Sequence, residues 1–347
     1  MSISKAILDV LEQSSWIRKM FEEGIQLKKE FGEKNIFDLS LGNPLLEPPE
    51  KFKKKLIELS NSDEKGLHRY MPNQGFQSTR EKVANSLAKE SNFPITSEEL
   101  IITTGAAGGV NAILKSILNP NDEIIVFSPF FVEYLFYIKN HNGIPVIAKT
   151  DEKFFPDLSD LSKKITKNTK GIIINSPNNP TGVLYPMEII EKIGEILSSK
   201  EKELGTEIYL ISDEPYRKII FDNKKYPFIF PHHDRSIVVT SHSKDLGLAG
   251  ERIGYIALSP KDKDKQVLYD ALVFSLRTLG HVNATAIMQK SIEDIQEESV
   301  DINVYKQKRD YIYDELIKIG YECVKPDGAF YLFPKSPIED DAKFVRI

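Results

Sequence analysis

The chain has 347 residues, 41% of them hydrophobic and 28% charged, with a formal net charge of −5 and one cysteine, Cys323. This is the composition of an ordinary globular protein, long enough for one large domain or two moderate ones whose core hides roughly 75% of the unfolded surface. Lysines interleaved with glutamates, as in Lys28-Lys29-Glu30, describe solvated helix faces rather than a nucleic-acid-binding stripe, and a lone cysteine excludes a disulfide framework or a multi-cysteine metal site. Residues 1–12 carry acidic side chains and no secretory apolar stretch, and no run approaches about 18 apolar residues, so a cytoplasmic protein without a membrane partner is expected.

In chain order, apolar spacing predicts a helix over residues 4–31, interrupted near Ser14-Ser15 and carrying Arg18 on its surface. A short strand is expected over 36–41, ending in the turn Gly42-Asn43-Pro44, then a helix over 48–59, a loop over 68–75 containing Tyr70, and a helix over 76–89. Strands are then predicted at 100–103, 123–127, 145–148, 171–174, 208–211 and 237–240. Helices at 106–118, 131–141, 158–165 and 186–199 separate the first five. Alternation of this kind predicts a mainly parallel sheet covered on both faces. Beyond Tyr255 the pattern turns helical, at 263–279, 284–298 and 305–318, and closes on a strand pair, 322–324 and 329–333, joined through Pro326-Asp327-Gly328.

Polar clusters follow the predicted strands, at the carboxyl ends where open α/β sheets bind ligands. Ser241-His242-Ser243-Lys244, with Arg252 eight residues on and glycines between, sets a lysine amine among groups suited to a small anion such as phosphate. Thr103-Thr104-Gly105-Ala106-Ala107-Gly108-Gly109 opens a helix with small residues, so a phosphate could approach the positive end of its dipole. Phe130-Phe131 offers a ring to stack on a flat heterocycle, or core packing. Asn178-Asn179-Pro180-Thr181-Gly182 is a polar turn, and Asp213, in Ser212-Asp213-Glu214-Pro215-Tyr216, is a carboxylate at the mouth of a buried strand that needs a partner. The adjacent His232 and His233 do not by themselves make a four-ligand metal site, and no metal is expected.

These separated motifs, in this order, resemble the class I/II aminotransferases, enzymes of pyridoxal phosphate (PLP) fold type I. The resemblance implies a three-layer αβα large domain with a mainly parallel, seven-stranded mixed sheet over residues 46–280, and a smaller α+β domain from 1–45 and 281–347. It implies that Lys244 carries the PLP Schiff base, with Ser241, Arg252 and, less specifically, Ser243 near the phosphate, which the turn Gly105-Ala106-Ala107 also binds. By the same resemblance Phe131 stacks on the cofactor ring, Asp213 meets its nitrogen, and Tyr216 and Asn179 meet its 3′-oxygen. Asn179 also holds the substrate carboxylate, Gly42 lies over the substrate, and Tyr70 crosses a homodimer interface to the partner's phosphate.

The reaction so implied is ping-pong transfer of an amino group from an L-α-amino acid to a 2-oxo acid. A PLP-dependent carbon–sulfur β-lyase, or a PLP-binding homologue without turnover, remains an alternative on the same residues. Arg277 is either a helix-surface arginine or a residue directed at a distal substrate carboxylate. Class I/II enzymes continue past the Gly328-Ala329-Phe330-Tyr331 strand into a G-x-x-R segment whose arginine binds the substrate carboxylate. The sequence here ends at Ile347, with Arg346 in a different setting, so the small domain is expected to be incomplete.

Overall fold

The computed structural model describes residues 3–37, 39 and 42–345 and divides the chain into two compact units, Met1–Asn43 and Pro44–Ile347. The first unit holds helix α1 (Lys5–Phe31), which runs unbroken past Ser14-Ser15, and a 3-10 turn at Glu33–Asn35. Gly32 ends α1 at φ +85°, its N–H bonded to the Lys28 carbonyl, while Lys28 and Lys29 complement the negative end of the helix dipole. The strand expected over 36–41 falls partly on residues outside the described set; Ile36, Phe37 and Leu39 are not in a strand.

The second unit is built on a seven-stranded sheet: β1 (Leu100–Thr103), β2 (Glu123–Phe127), β3 (Ile144–Ala148), β4 (Thr169–Asn175), β5 (Tyr209–Asp213), β6 (Ser236–Ser241) and β7 (Gly254–Leu258), in spatial order β1-β7-β6-β5-β4-β2-β3. All neighbours are parallel except β7, which is antiparallel to both β1 and β6. The two-residue period of the strands divides their side chains between two cores. Leu100, Ile102, Ile172, Ile174, Leu210 and Val238 pack on one face with Val83, Leu87, Ile193 and Leu197. Ile101, Ile173, Ile211, Ile237, Val239 and Ile256 pack on the other with Val110, Ile113, Leu114 and Leu272. Strands buried on both faces explain the continuous apolar runs of the sequence.

The helices of this unit are α2 (Glu50–Ser60), α3 (Gln77–Ser91), α4 (Gly105–Ile117), α5 (Glu133–Asn140), α6 (Leu158–Lys164), α7 (Met187–Leu204), α8 (Lys265–Thr278), α9 (Ala286–Ile292), α10 (Ile302–Lys318) and α11 (Asp341–Phe344), and the helical core residues just named come from α3, α4, α7 and α8. Three expectations need correction. β7 is an additional strand immediately after Arg252, α9 ends well before residue 298, and the strand pair at 322–324 and 329–333 is reduced to isolated bridges, Cys323 with Pro334 and Ile220 with Gly328. Ala329 sits at φ +58°, and the N–H groups of Asp327, Gly328 and Ala329 bond the distant carbonyls of Gly182 and Ile219 instead of a ladder. No helix of the described residues is long and apolar enough to cross a membrane.

Candidate active site

Because β1, β2, β4, β5 and β6 point the same way, their carboxyl ends bring Thr103, Ser128, Asn175, Asp213 and Ser241 to one edge of the sheet. Gly254, the first residue of β7, pairs with both Thr103 and Ser241, and a Cβ there would lie 2.2 Å from the Thr240 carbonyl oxygen and 3.1 Å from the Gly105 Cα. The glycine lets the lysine strand and the small-residue turn close together. Gly105, at φ +81°, starts α4, and the N-cap Thr104 makes no side-chain cap bond, so the first N–H groups of the helix are not taken up by one. Arg252 donates from Nη1 to the Ala249 carbonyl at 2.8 Å, and its Nη2 lies 2.8 Å from the place a Gly105 Cβ would take. An exposed guanidinium thus stands beside the positive end of α4.

Asp213 is buried. The Tyr134 hydroxyl donates to its Oδ2 at 2.5 Å, whereas Oδ1 is buried without a partner. Burial pushes its pKa up to about 7, the Tyr134 bond opposing and the Glu214 charge adding to the rise. Asn175 binds the Asp213 carbonyl through Nδ2 at 2.8 Å and accepts the Asn179 backbone N–H on Oδ1 at 2.7 Å, fixing the Asn178–Gly182 turn against the end of β5.

Lys244 follows β6 between buried Ser243 and buried Asp245. Burial, and then the Arg252 charge, push its pKa down to about 8. Its Nζ lies 5.4 Å from the centre of the Phe330 ring. Phe330 also meets Tyr216 edge-on at 5.5 Å, and the Tyr216 hydroxyl is 2.6 Å from that of Tyr331. Asp213, Lys244, Tyr216, Arg252 and Gly105 therefore belong to one cluster.

The remaining candidates lie as follows. Phe131 is half-buried and meets Tyr134 edge-on at 5.5 Å. Tyr70 is fully exposed. Arg277 is exposed on α8, over the Phe274 ring at 5.4 Å. Gly42 belongs to the first unit, and Arg346 lies outside the described residues. His233 is buried, with Nε2 2.8 Å from the Ile208 carbonyl, and no group of three or more His, Cys, Asp or Glu among the described residues could hold a metal. Sequence reasoning missed Tyr134, Asn175, Phe330 and Tyr331. Their strand-end motifs were visible, but nothing in a motif says that a tyrosine on α5 reaches the end of β5.

The architecture is that of PLP fold type I. Over its whole length the chain superposes on an amino transferase from Eubacterium rectale, covering 88% of that protein with a TM-score of 0.96 at 37% identity. It also superposes on the aspartate aminotransferase of Thermotoga maritima with a TM-score of 0.86 at 26% identity, over 99% of this chain and 88% of that one. A probable aspartate aminotransferase of Methanocaldococcus jannaschii is 33% identical over 86% of this chain and 78% of its own length. The family model for aminotransferase class I and II matches residues 34–347, and the chain belongs to that family. Its members use pyridoxal phosphate, and the protein is a transaminase.

Proposed function

We propose that this protein moves an amino group from an L-α-amino acid to a 2-oxo acid in two ping-pong half-reactions, with Lys244 holding PLP covalently through Nζ. The observation that carries the reading is Asp213: a buried carboxylate with one oxygen held by Tyr134 and the other unpartnered suits a protonated pyridine nitrogen. The Gly105 turn fits the other end of the same group. An uncapped 13-residue helix and the adjacent Arg252 suit a phosphate, with Ala106, Ala107, Ser241 and Ser243 as further donors.

When bound, PLP supplies an electron sink for the pair left on the substrate Cα. Asp213, facing a cationic N–H, stays ionised and keeps that nitrogen protonated. Lys244, whose pKa burial and then the Arg252 charge bring down to about 8, would give up a proton more easily than an ordinary lysine, and its Nζ would be the group that takes the Cα proton and gives it back. Tyr216 and Asn179 would hold the cofactor 3′-oxygen, Asn179 would also meet the substrate carboxylate, and Phe131 would cover the ring. The same proposal includes Gly42 over the substrate and a large domain of residues 46–280 beside a small one from 1–45 and 281–347. It also includes a cytoplasmic homodimer in which the exposed Tyr70 of one protomer reaches the phosphate held by its partner. The relatives named aspartate aminotransferase support an acidic amino acid as the first donor to try, with Arg277 as a candidate for its distal carboxylate.

The test is the visible absorbance of the PLP-loaded protein, before and after a panel of amino acids that includes aspartate, beside Lys244→Ala. A donor should convert the bound cofactor to its aminated form and a 2-oxo acid should reverse the change, neither occurring in Lys244→Ala. Ammonia released without reversal would replace this reading by the lyase, and a cofactor band indifferent to every amino acid would refute transamination.

A further inference from the structure

We propose that Tyr331 is a positioning residue for the reaction: its hydroxyl donates to the Tyr216 oxygen and so strengthens the hydrogen bond that Tyr216 gives to the cofactor. The inference rests on the reading of the cluster as a PLP site.

The argument begins with proton counting. A phenol has one proton to donate and can accept through its oxygen. Tyr216 and Tyr331 lie with their hydroxyls 2.6 Å apart, and by geometry alone either could be the donor. Tyr216 is buried, and burial, the largest influence on it, holds its pKa well above the usual tyrosine value, so it stays a neutral phenol with a proton to give. If the single Tyr216 proton goes to the 3′-oxygen of the cofactor, the 2.6 Å contact persists only with the Tyr331 proton directed at the Tyr216 oxygen. The two phenols then form a chain, Tyr331 to Tyr216 to cofactor, in which each bond polarises the next.

The backbone holds Tyr331 in place for this task. Pro326 accepts from Arg309 Nη1 at 2.8 Å, and Asp327 and Gly328 donate to the Gly182 carbonyl at 2.9 and 3.0 Å. Ala329 donates to Ile219 at 2.9 Å, and Phe221 donates to Asp327 at 2.8 Å. A Cβ on Gly328 would stand 2.5 Å from the Ile219 carbonyl oxygen, so only glycine allows this approach. Phe330 then packs between Tyr305, stacked at 5.2 Å, and Tyr216, and the next residue delivers its hydroxyl to Tyr216. The Gly328-Ala329-Phe330-Tyr331 segment is thus a clamped strap across the lysine and phenol of the site, and its role lies in the phenol it places.

The experiment uses Tyr331→Phe, which keeps the ring and its edge contact with Tyr216 and removes only the hydroxyl. Losing the donor makes an anionic 3′-oxygen less favourable, so the pH midpoint of the bound cofactor's visible absorbance should rise by roughly 0.4–1 unit. The dissociation constant for PLP, measured by titrating cofactor-free protein, should weaken by about 2–10-fold. In a Tyr216→Phe background the same substitution should change neither, because Tyr331 acts only through Tyr216. An unchanged midpoint in Tyr331→Phe, or an equal shift with and without the Tyr216 hydroxyl, would overturn the inference while leaving the cofactor site intact. No visible cofactor band in the unmodified protein would overturn the site reading and this inference together.

Discussion

Asp213 and Glu214 are adjacent, both buried, and treated in opposite ways by the fold. Asp213 closes β5 and Glu214 is the first residue past it, and the two meet different neighbours. Glu214 meets Arg217 at 3.1 Å, and Arg217 in turn donates to the Tyr255 hydroxyl at 2.9 Å and pairs with Glu90 at 3.2 Å. Asp213 has the Tyr134 hydroxyl and, among the described residues, no Lys or Arg in an ion pair. Burial raises both carboxyls; for Glu214 the guanidinium is the largest opposing influence, and for Asp213 it is a single phenol. Each carboxylate keeps one buried oxygen without a hydrogen-bond partner, but only Glu214 has a cation of the protein beside it, and for Asp213 the proposed counter-charge is the protonated ring nitrogen of the cofactor. A local rule left unsatisfied in an otherwise consistent fold is the mark of a functional position.

The contrast can be broken from either side. Arg217→Ala leaves Glu214 buried without its cation, and removing one partner of a buried pair costs about 3–5 kcal/mol, to be measured by urea unfolding of the cofactor-free protein. Asp213→Asn should act the other way, lowering kcat by at least about 10²–10³-fold, the usual loss when a preorganised charge partner is removed, while the protein stays folded. It should also change how stability depends on pH. The folded Asp213 binds its proton up to about pH 7 against an ordinary value of 3.8. Between those values the folded state holds more protons than the unfolded one, so this group's contribution to stability falls as pH rises and levels off above about 7. Thermal melts of cofactor-free protein from pH 5 to 8 should therefore show the unmodified protein losing ground to Asp213→Asn. Parallel curves would mean that Asp213 is already ionised and paired.

How much of this was legible in the sequence differs between strands, loops and contacts. Strands β1 to β6 were legible because burial on both faces makes them nearly unbroken apolar runs, and Asp213 and Lys244 stood out because they lie at or just past the carboxyl ends of such runs, whereas Arg252, just ahead of β7, stood out only through its spacing from Lys244. β7 escaped because a five-residue run beginning Gly254-Tyr255 directly after a polar loop has no helix to announce it, and its antiparallel insertion between β1 and β6 is a tertiary fact. Residues 329–333 read as a strand because their composition is that of one. The Ala329 N–H goes instead to Ile219, and those of Asp327 and Gly328 just before it go to Gly182, partners more than 100 positions away in sequence. Tyr134 carries no signal in the sequence, since the 2.5 Å contact with Asp213 depends on how α5 lies across the sheet.

The smallest predicted effect separates ligand-directed from fold-directed design at two glycines. Gly105 and Gly205 both have positive φ, +81° and +64°. Alanine at either position should lose about 1–2 kcal/mol of stability, the cost of a left-handed conformation for a residue with a Cβ. Beyond that they differ. A Cβ at Gly205, which caps α7, meets nothing within 4 Å, whereas at Gly105 it stands 2.8 Å from Arg252 Nη2 and 3.2 Å from its Cζ. Arg252 is exposed and at the end of a flexible side chain, so it can swing aside at little cost to folding, but in doing so it leaves the start of α4. Gly105→Ala should therefore weaken PLP binding by about tenfold, equivalent to ~1.4 kcal/mol, on top of a stability loss matching that of Gly205→Ala, which should bind PLP normally. Urea unfolding and cofactor titration on the two variants make the comparison. Equal affinities would mean that the guanidinium beside Gly105 does not serve the phosphate.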